Sequence, residues 1–165
     1  MIYFEKLRWK NFLSTGNAFT EMQFTRSPST LIVGENGSGK STMLDALCYV
    51  LFNKPFRNIT KPQLLNTINN KSLVVEIEFR IGTHNYLVRR GTKPNIFEIY
   101  CDDVLVDQDA AARDSQKYLE EVVLKLNYKS FTQIVILGSA SFTPFMQLPL
   151  GQRREIIEDI LDIKI

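Results

Sequence analysis

Eight consecutive residues, Gly34 to Ser41, carry the clearest chemical signal in the sequence. They read Gly-Glu-Asn-Gly-Ser-Gly-Lys-Ser and match the pattern G-x-x-x-x-G-K-[ST] in full. Glycines permit positive φ and let the backbone approach a phosphate without a Cβ in the way. Successive N–H groups can then surround the phosphate oxygens. The run therefore predicts a loop that binds the phosphates of a nucleotide.

The last two residues of the motif have predicted roles of their own. Lys40 supplies a positive charge for the β- and γ-phosphates, and the Ser41 hydroxyl is a ligand for Mg²⁺. A helix that starts near Lys40 adds the positive end of its dipole at the same place. We therefore expect Lys40 to be the catalytic residue of this chain.

The segments on either side of the motif are the ones that a phosphate-binding loop requires. The apolar run Thr30–Val33 is bounded by turn residues and predicts a fully buried central strand. Lys40–Phe52 predicts a helix, because four apolar residues recur at intervals of three and four: Leu44, Leu47, Cys48 and Leu51. This context favours nucleotide binding over a glycine-rich turn with an incidental lysine.

The residues that would complete a hydrolytic site are missing from the sequence. Phosphoryl transfer also needs an acidic metal ligand and a group that orients water. No apolar strand-like run ends in Asp-Glu, and there is no Leu-Ser-Gly-Gly sequence. Glu158 and Asp159 follow two isoleucines, but on a helical stripe. We therefore expect the isolated chain to bind Mg-ATP at most weakly and not to turn it over.

The middle of the sequence predicts antiparallel β structure. Leu73–Ile81 alternates apolar with charged residues, the cleanest period-two pattern in the chain. His84–Arg90 follows after a two-residue turn and predicts a hairpin partner. Asn95–Cys101 and Val104–Val106 predict a second hairpin, so we expect a meander here.

Other segments complete the expected organisation. Strand-like patterns occupy Ile2–Trp9, Phe19–Phe24 and the apolar, β-branched run Phe131–Leu137. Helical patterns occupy part of Pro62–Ile68, Asp109–Asn127 with Tyr118, Val122 and Leu126 on one stripe, and Gly151–Ile165. The last helix has an apolar stripe but no C-terminal cap, so we expect the sequence to be a piece of a longer protein.

Composition and charge exclude several classes of protein. A chain of 165 residues with 44% hydrophobic and 23% charged residues is neither disordered nor fibrous. Its longest apolar run, Ala46–Phe52, is far short of the roughly 20 residues that cross a bilayer, and the N-terminus lacks a secretory signal. Cys48 and Cys101 form no C-x-x-C pair, which favours reduced cysteines in a cytoplasmic protein over a disulfide.

Other polar residues have ordinary roles as their first interpretation. His84 is the only histidine, which excludes a histidine-based triad or a multi-histidine metal site within this chain. The net charge of +2 is evidence neither for nor against nucleic-acid binding. Four aspartates favour a polar hairpin and helix cap over a metal site: Asp102, Asp103, Asp107 and Asp109. Two basic groups are either solvated charge or contacts to DNA phosphates: Lys54, Arg57, Lys61 and Lys71, and Arg89, Arg90 and Lys93.

Together these motifs resemble a known family, the SMC-like, ABC-class DNA repair ATPases of the SbcC type. The resemblance lies in Asn11-Phe12-Leu13-Ser14 and in the phosphate loop leading through Thr42 to Leu44-Asp45-Ala46. Ser130–Met146 and Lys54-Pro55-Phe56-Arg57 look closer still to the large subunit of the recombination nuclease of tailed phages. Arg153–Leu161 is similar to that family's entry into a long coiled coil.

The resemblance implies an α/β fold, the N-terminal lobe of a P-loop NTPase head of ABC type, with a mixed sheet, an antiparallel meander and flanking helices. Residues 1–150 would form this lobe, and residues 151–165 would begin a helix leading to a coiled coil. A C-terminal lobe of the same protein would supply the acidic strand and the Leu-Ser-Gly-Gly-like sequence. Two heads would enclose ATP and Mg²⁺, with an SbcD-type metal-dependent nuclease and DNA as partners and no membrane.

Family site residues transfer to this sequence one by one. The phosphate loop and the threonine after it match the family's nucleotide-binding residues in full: Gly34, Glu35, Asn36, Gly37, Ser38, Gly39, Lys40, Ser41 and Thr42. Ser14 would lie by the nucleotide, although many relatives have a basic residue where this chain has Leu13. Three residues would lie near the base or ribose: Leu65, Asn66 and Thr67.

One loop departs from the family pattern. Where relatives place a Gln-Gly pair that serves the metal and the attacking water, this chain reads Leu137-Gly138-Ser139-Ala140-Ser141. Either Ser139 or Ser141 reaches the metal, or Gln133 substitutes from upstream; the alternative for Gln133 is a strand residue with backbone partners.

The expected function is thus the ATP-binding half of a recombination ATPase in the cytoplasm, that of the host cell if the protein is phage-encoded. ATP-dependent head dimerisation would gate a nuclease on DNA. Two other functions remain open from the sequence: a stand-alone small P-loop kinase, and a non-catalytic DNA-binding module.

Overall fold

The computed structural model describes residues 1–106, 112–136 and 145–161. The chain forms two compact units, Met1–Asp109 and Ala110–Ile165. The first contains strands β1 (Ile2–Lys10), β2 (Thr20–Gln23), β3 (Leu73–Ile81), β4 (His84–Thr92), β5 (Ile96–Cys101) and β6 (Val104–Leu105), with helices α1 (Lys40–Phe52) and α2 (Lys61–Leu64). The second contains α3 (Ala112–Lys117), a π-helix (Tyr118–Leu124), α4 (Tyr128–Ile134), a 3₁₀ turn (Phe145–Gln147) and α5 (Leu150–Leu161).

The six strands of the first unit form one sheet in the order β2-β1-β3-β4-β5-β6. All of these pairings are antiparallel. The predicted meander and both predicted hairpins are confirmed, because β3 pairs with β4 and β5 pairs with β6. Alternation in β3 places Leu73, Val75, Ile77 and Phe79 in the core.

Helix α1 covers the apolar face of this sheet and contacts β3 and β4. Arg90 on β4 is buried and donates from Nε to the Val50 carbonyl, 3.0 Å away. The hydroxyls of Tyr49 and Thr92 lie 3.0 Å apart. Apolar packing is non-directional, whereas these hydrogen bonds are directional. They therefore fix the rotation of α1 about its axis and its position along the sheet.

The opposite face of the sheet is polar, and its centre is Glu76. This carboxylate is only 3% exposed although its neighbours in the register are charged. Arg8 on β1 donates to Oε2, and Arg89 on β4 donates from Nε to Oε1 at 2.6 Å. Because both carboxylate oxygens are paired, the buried charge is compensated across three adjacent strands.

The turn between β5 and β6 is polar, as predicted. His84 Nδ1 lies 2.7 Å from Asp102 Oδ2, and the Asn85 N–H donates to Asp102 Oδ1 at 2.9 Å. The hydrogen bond with His84 is the main cause that lowers the pKa of the Asp102 carboxyl. Asp102 therefore ties the start of β4 to the end of β5; Asp107 and Asp109 lie outside the described residues.

The prediction of a buried central strand at Thr30–Val33 is wrong. These residues are not in a strand, and Leu31 and Val33 are 87% and 81% exposed. A central strand needs neighbours on both sides. Among the described residues, none pairs with this run, so its apolar composition alone does not bury it.

The predicted strand at Phe131–Leu137 is also wrong, since Tyr128–Ile134 is helix α4. The Asn127 side chain caps this helix by accepting from the Ser130 N–H at 3.0 Å. Thr132 adds a hydrogen bond from its hydroxyl to the Tyr128 carbonyl. The local cap outweighs the β preference of the branched side chains; Leu137 lies outside the described residues.

Of the helix expected over Asp109–Asn127, the described residues are helical over Ala112–Lys117 and Tyr118–Leu124, but the predicted apolar stripe is wrong. Tyr118–Leu124 is a π-helix, which adds a residue to the turn. The extra residue rotates the stripe by one position. The buried side chains are therefore Leu119, Val123 and Leu124, whereas Val122 is exposed.

The final predicted helix is confirmed over Leu150–Leu161, where Ile156 is buried. Residues 162–165 lie outside the described part. No helix within the described ranges is long and apolar enough to cross a membrane.

The two cysteines are free and differ in environment: Cys48 is buried and Cys101 is half-buried. Burial, reinforced by the Asp45 carboxylate, raises the pKa of the Cys48 thiol to about 12. Since the thiolate is the reactive form, Cys48 is chemically inert in the folded chain.

We predict that a Cys101→Ser variant, which retains only Cys48, resists iodoacetamide at about pH 8 until the chain is unfolded. Mass spectrometry of timed alkylation measures this. The matched variant Cys48→Ser retains Cys101 and should be modified in the native state. Equal native labelling of the two variants would contradict the buried placement of Cys48.

Candidate nucleotide-binding site

The phosphate-loop motif lies directly before α1. Gly37 and Gly39 have φ of 89° and 90°, a conformation that side-chain-bearing residues rarely adopt. Gly39 occupies the N-cap position of α1, and no side chain caps the helix start. The Thr42 N–H donates to the Gly39 carbonyl, but because no side chain caps this helix start, the Lys40 and Ser41 N–H groups before it can bind an anion.

Lys40 is the first residue of α1, and its side chain folds back over the loop. Its Nζ donates to the carbonyls of Gly34 at 2.6 Å and Glu35 at 2.7 Å. These bonds hold the ammonium group beside the uncapped helix start. An incoming phosphate can replace neutral carbonyls with charged oxygens, which form stronger hydrogen bonds.

A cavity of about 560 Å³ opens in front of this loop. Its volume lies within the usual range for small-molecule sites. The residues that line it are Leu13, Ser14, Asn36, Gly37, Gly39, Lys40, Ser41, Thr42, Arg57, Ile59, Gln63, Leu65 and Thr67. The structure thus brings three predicted nucleotide residues from distant segments, Ser14, Leu65 and Thr67, to the phosphate loop.

Ser41 and Thr42 face different environments at the start of α1. Ser41 is exposed and lines the cavity, so its hydroxyl is accessible to a metal ion. Thr42 is buried, and its N–H donates to the Gly39 carbonyl at 2.9 Å. A hydroxyl beside a phosphate-binding loop is a hard oxygen donor of the kind that Mg²⁺ prefers, so the residues present fit this ion.

Asn66 lies next to the cavity but does not line it. It is buried, and its Nδ2 donates to the carbonyls of Leu13 and Thr15, both at 3.1 Å. Its Oδ1 accepts from the N–H groups of Ile68 and Asn69. Asn66 therefore joins the 11–17 turn to the 64–70 segment and holds two walls of the cavity together.

The same two segments are joined by backbone and by a second asparagine. The Asn66 N–H donates to the Asn11 carbonyl at 2.9 Å, and Leu13 N–H donates to the Leu64 carbonyl at 2.6 Å. Asn11 is fully buried, and its side chain donates to the Ser72 carbonyl and accepts from Asn69. This network explains why a turn near the N-terminus reaches the nucleotide site.

Four cavity residues were not among the predicted site residues: Leu13, Arg57, Ile59 and Gln63. The last three lie between α1 and the end of α2. One signal for Arg57 was available, because Asp45 is a single acidic residue within the apolar part of α1. A buried acid requires a basic partner, which has to come from elsewhere in the chain.

The remaining candidate metal ligands belong to the second unit. Gln133 lies on α4, and its Oε1 is buried without a hydrogen-bond partner among the described residues. It lines a separate cavity of about 120 Å³ with Thr132 and Gln152. Ser139 and Ser141 lie outside the described residues. A metal role for Gln133 or for either serine stays a prediction.

A family model described as AAA domain matches residues 6–165. The chain belongs to this family. Exonuclease subunit 2 of Escherichia phage RB69 is 44% identical over 96% of this chain and 28% of its own length. The SbcC subunit of nuclease SbcCD from Clostridium acetobutylicum is 30% identical over 81% of this chain and 12% of its own length. The chain thus spans less than a third of the length of each of these relatives. The matches confirm its resemblance to SbcC-type ATPases.

A solved structure shows the same fold. It aligns with a TM-score of 0.65 and 26% identity over 96% of this chain and 99% of its own, and it comes from work on "ATP-driven dimerization and DNA stimulated activation of SMC ATPases". The predicted P-loop NTPase fold with an antiparallel meander is confirmed, and AAA domain membership implies nucleotide binding.

We predict that Asn66→Ala lowers the free energy of unfolding by about 3 kcal/mol, because it leaves several buried backbone groups unpaired. Urea denaturation followed by circular dichroism measures the change. Asn58 is exposed, so Asn58→Ala should stay within about 0.5 kcal/mol of the unmodified chain. Equal stabilities for the two variants would contradict the bridging role of Asn66.

Proposed function

We propose that this chain is the ATP-binding N-terminal lobe of a DNA repair and recombination ATPase that controls a partner nuclease. The observation that carries the proposal is the cavity in front of the phosphate loop, which Lys40 and Ser41 line together with Ser14 and Thr67. The names of two relatives, an exonuclease subunit and a subunit of nuclease SbcCD, supply the nuclease context, and the solved structure from work on DNA-stimulated SMC ATPases supplies the DNA context.

The roles of the site residues follow from their positions. The glycine-rich loop and the start of α1 bind the phosphates through N–H groups, and Lys40 leaves its carbonyl partners for the β- and γ-phosphates. The Ser41 hydroxyl would be a ligand for Mg²⁺, and the bound ion would supply positive charge against the negative charge that develops in phosphoryl transfer. Lys40 is the catalytic residue of this lobe, since it contacts the reacting phosphate.

The proposed lobe is incomplete for hydrolysis. No carboxylate is among the described residues that line the cavity, although a metal-assisted hydrolase needs an acidic ligand and a group that orients water. In our proposal a C-terminal lobe of the same protein and a second head supply them. Residues 1–150 then form the N-terminal lobe and α5 leads toward the coiled coil, with the complex acting on DNA in the cytoplasm, that of the host cell if the protein is phage-encoded.

We predict that Lys40→Ala weakens binding of a fluorescent ATP analogue by about tenfold or more, because it removes charge-assisted hydrogen bonds to phosphate. Fluorescence anisotropy with Mg²⁺ measures the affinity. Lys61 is exposed and does not line the cavity, so Lys61→Ala serves as the matched control. If both variants bind the analogue as tightly as the unmodified chain, the loop is not the nucleotide site.

We further predict that the chain alone releases no phosphate from ATP above the Lys40→Ala background. A mixture with the C-terminal lobe of the same protein should release phosphate at a rate that depends on Lys40. A steady-state phosphate assay measures both. Lys40-dependent turnover by the chain alone would overturn the proposal that the catalytic groups are divided between two lobes.

A further inference from the structure

The most completely buried charge beside the cavity is Asp45, on α1 one turn after Ser41. Its side chain has no exposed surface, and both carboxylate oxygens accept from Arg57. Oδ1 accepts from the Arg57 N–H at 2.8 Å and Oδ2 from Nε at 2.7 Å, and Nη2 lies 2.6 Å from Oδ2. One residue thus fixes both the backbone and the side chain of Arg57.

Arg57 connects this buried contact to the cavity. Its side chain is 46% exposed and lines the cavity, while Nε and Nη2 face Asp45. Its Nη1 has no hydrogen-bond partner among the described residues. Because the guanidinium is planar and two of its nitrogens are held, the orientation of the exposed edge and face is fixed before any ligand binds.

The cavity lining has two chemically different parts. One part is the phosphate loop and the start of α1, which offer N–H groups and the Lys40 ammonium. The other part contains the apolar side chains of Leu13, Ile59 and Leu65 beside four polar residues: Ser14, Arg57, Gln63 and Thr67. Apolar side chains do not solvate phosphate, but they pack well against the faces of a base or a ribose.

The two cationic residues of the lining differ in whether a nearby carboxylate compensates their charge. Within the part of the chain that the structure describes, the Lys40 ammonium group bonds to neutral carbonyls and to no carboxylate, so its charge is uncompensated. The charge of Arg57 is compensated by Asp45. Arg57 therefore offers a flat face and directed donors with little net attraction for anions, which suits a neutral nucleoside better than a triphosphate.

We propose that Arg57 is a specificity-determining residue that contacts the nucleoside portion of the bound nucleotide, and that Asp45 is its positioning residue. This inference rests on the proposed function, since it requires that a nucleotide occupies the cavity. It assigns discrimination between a nucleotide and a bare polyphosphate to the Asp45–Arg57 pair, and phosphate affinity to Lys40.

The test compares Mg-ATP with inorganic tripolyphosphate, which offers the phosphates without a nucleoside, by isothermal titration calorimetry. Arg57→Lys keeps the charge but loses the planar, two-point contact. We expect it to weaken ATP binding about tenfold and to leave tripolyphosphate binding within about twofold. Arg26 is exposed and bonded to Gln23, so Arg26→Lys is the matched control and should change neither affinity.

Asp45→Asn tests the positioning step separately. It keeps an acceptor for the Arg57 N–H but removes the charge that holds the guanidinium, so it should show the same selective loss of ATP binding. If this variant does not fold by circular dichroism, Arg57→Lys alone decides the test. In our proposal a second substitution of Arg57 adds little to Asp45→Asn, because the two residues act as one unit.

Other outcomes overturn the inference in distinguishable ways. Equal weakening of ATP and tripolyphosphate by Arg57→Lys would show a phosphate contact or a purely structural role. No change in either affinity would show that Arg57 does not contact the ligand. If the unmodified chain binds neither ligand, or if Lys40→Ala weakens neither, the proposed function fails first.

Discussion

The site depends on a helix start that no side chain caps, so that its first N–H groups attract an anion. Such a start is useful only if the helix is rigidly placed, because hydrogen bonds from the loop act over short distances. Helix α1 is placed by its apolar face on the sheet and by three polar contacts along its length. Asp45 binds Arg57, Tyr49 lies against Thr92, and the Val50 carbonyl accepts from Arg90.

Polar groups elsewhere in the first unit are buried for a related reason. Asn11 and Asn66 bond backbone groups of two loops that have no regular secondary structure to satisfy them. Glu76 pairs with arginines on both neighbouring strands. These hydrogen bonds and ion pairs fix the relative positions of loops and strands, which apolar packing alone does not do. The loops that form the cavity walls are among them.

Local pattern was sufficient for several elements and misleading for others. The β3 alternation and the α1 periodicity each repeat over several turns or residue pairs, so both were correctly predicted. The short runs Thr30–Val33 and Phe131–Leu137 have apolar, β-branched composition but no partner strand in the described chain. In the second run a cap from Asn127 favours a helix instead. The π-helix buries different side chains from those that a regular helical period predicts, so the predicted stripe was wrong.

The phosphate loop was predictable from residue order alone, because its glycines, Lys40 and Ser41 act over eight consecutive residues and need little from the rest of the chain. The tertiary structure decides which other residues line the cavity. It also decides the role of Asn66 beside it. Asp45 and Arg57 are 12 residues apart, and Asn66 reaches Leu13 across 53. Contacts over such separations are set by how helices and loops pack around the sheet, which no local period in the sequence encodes.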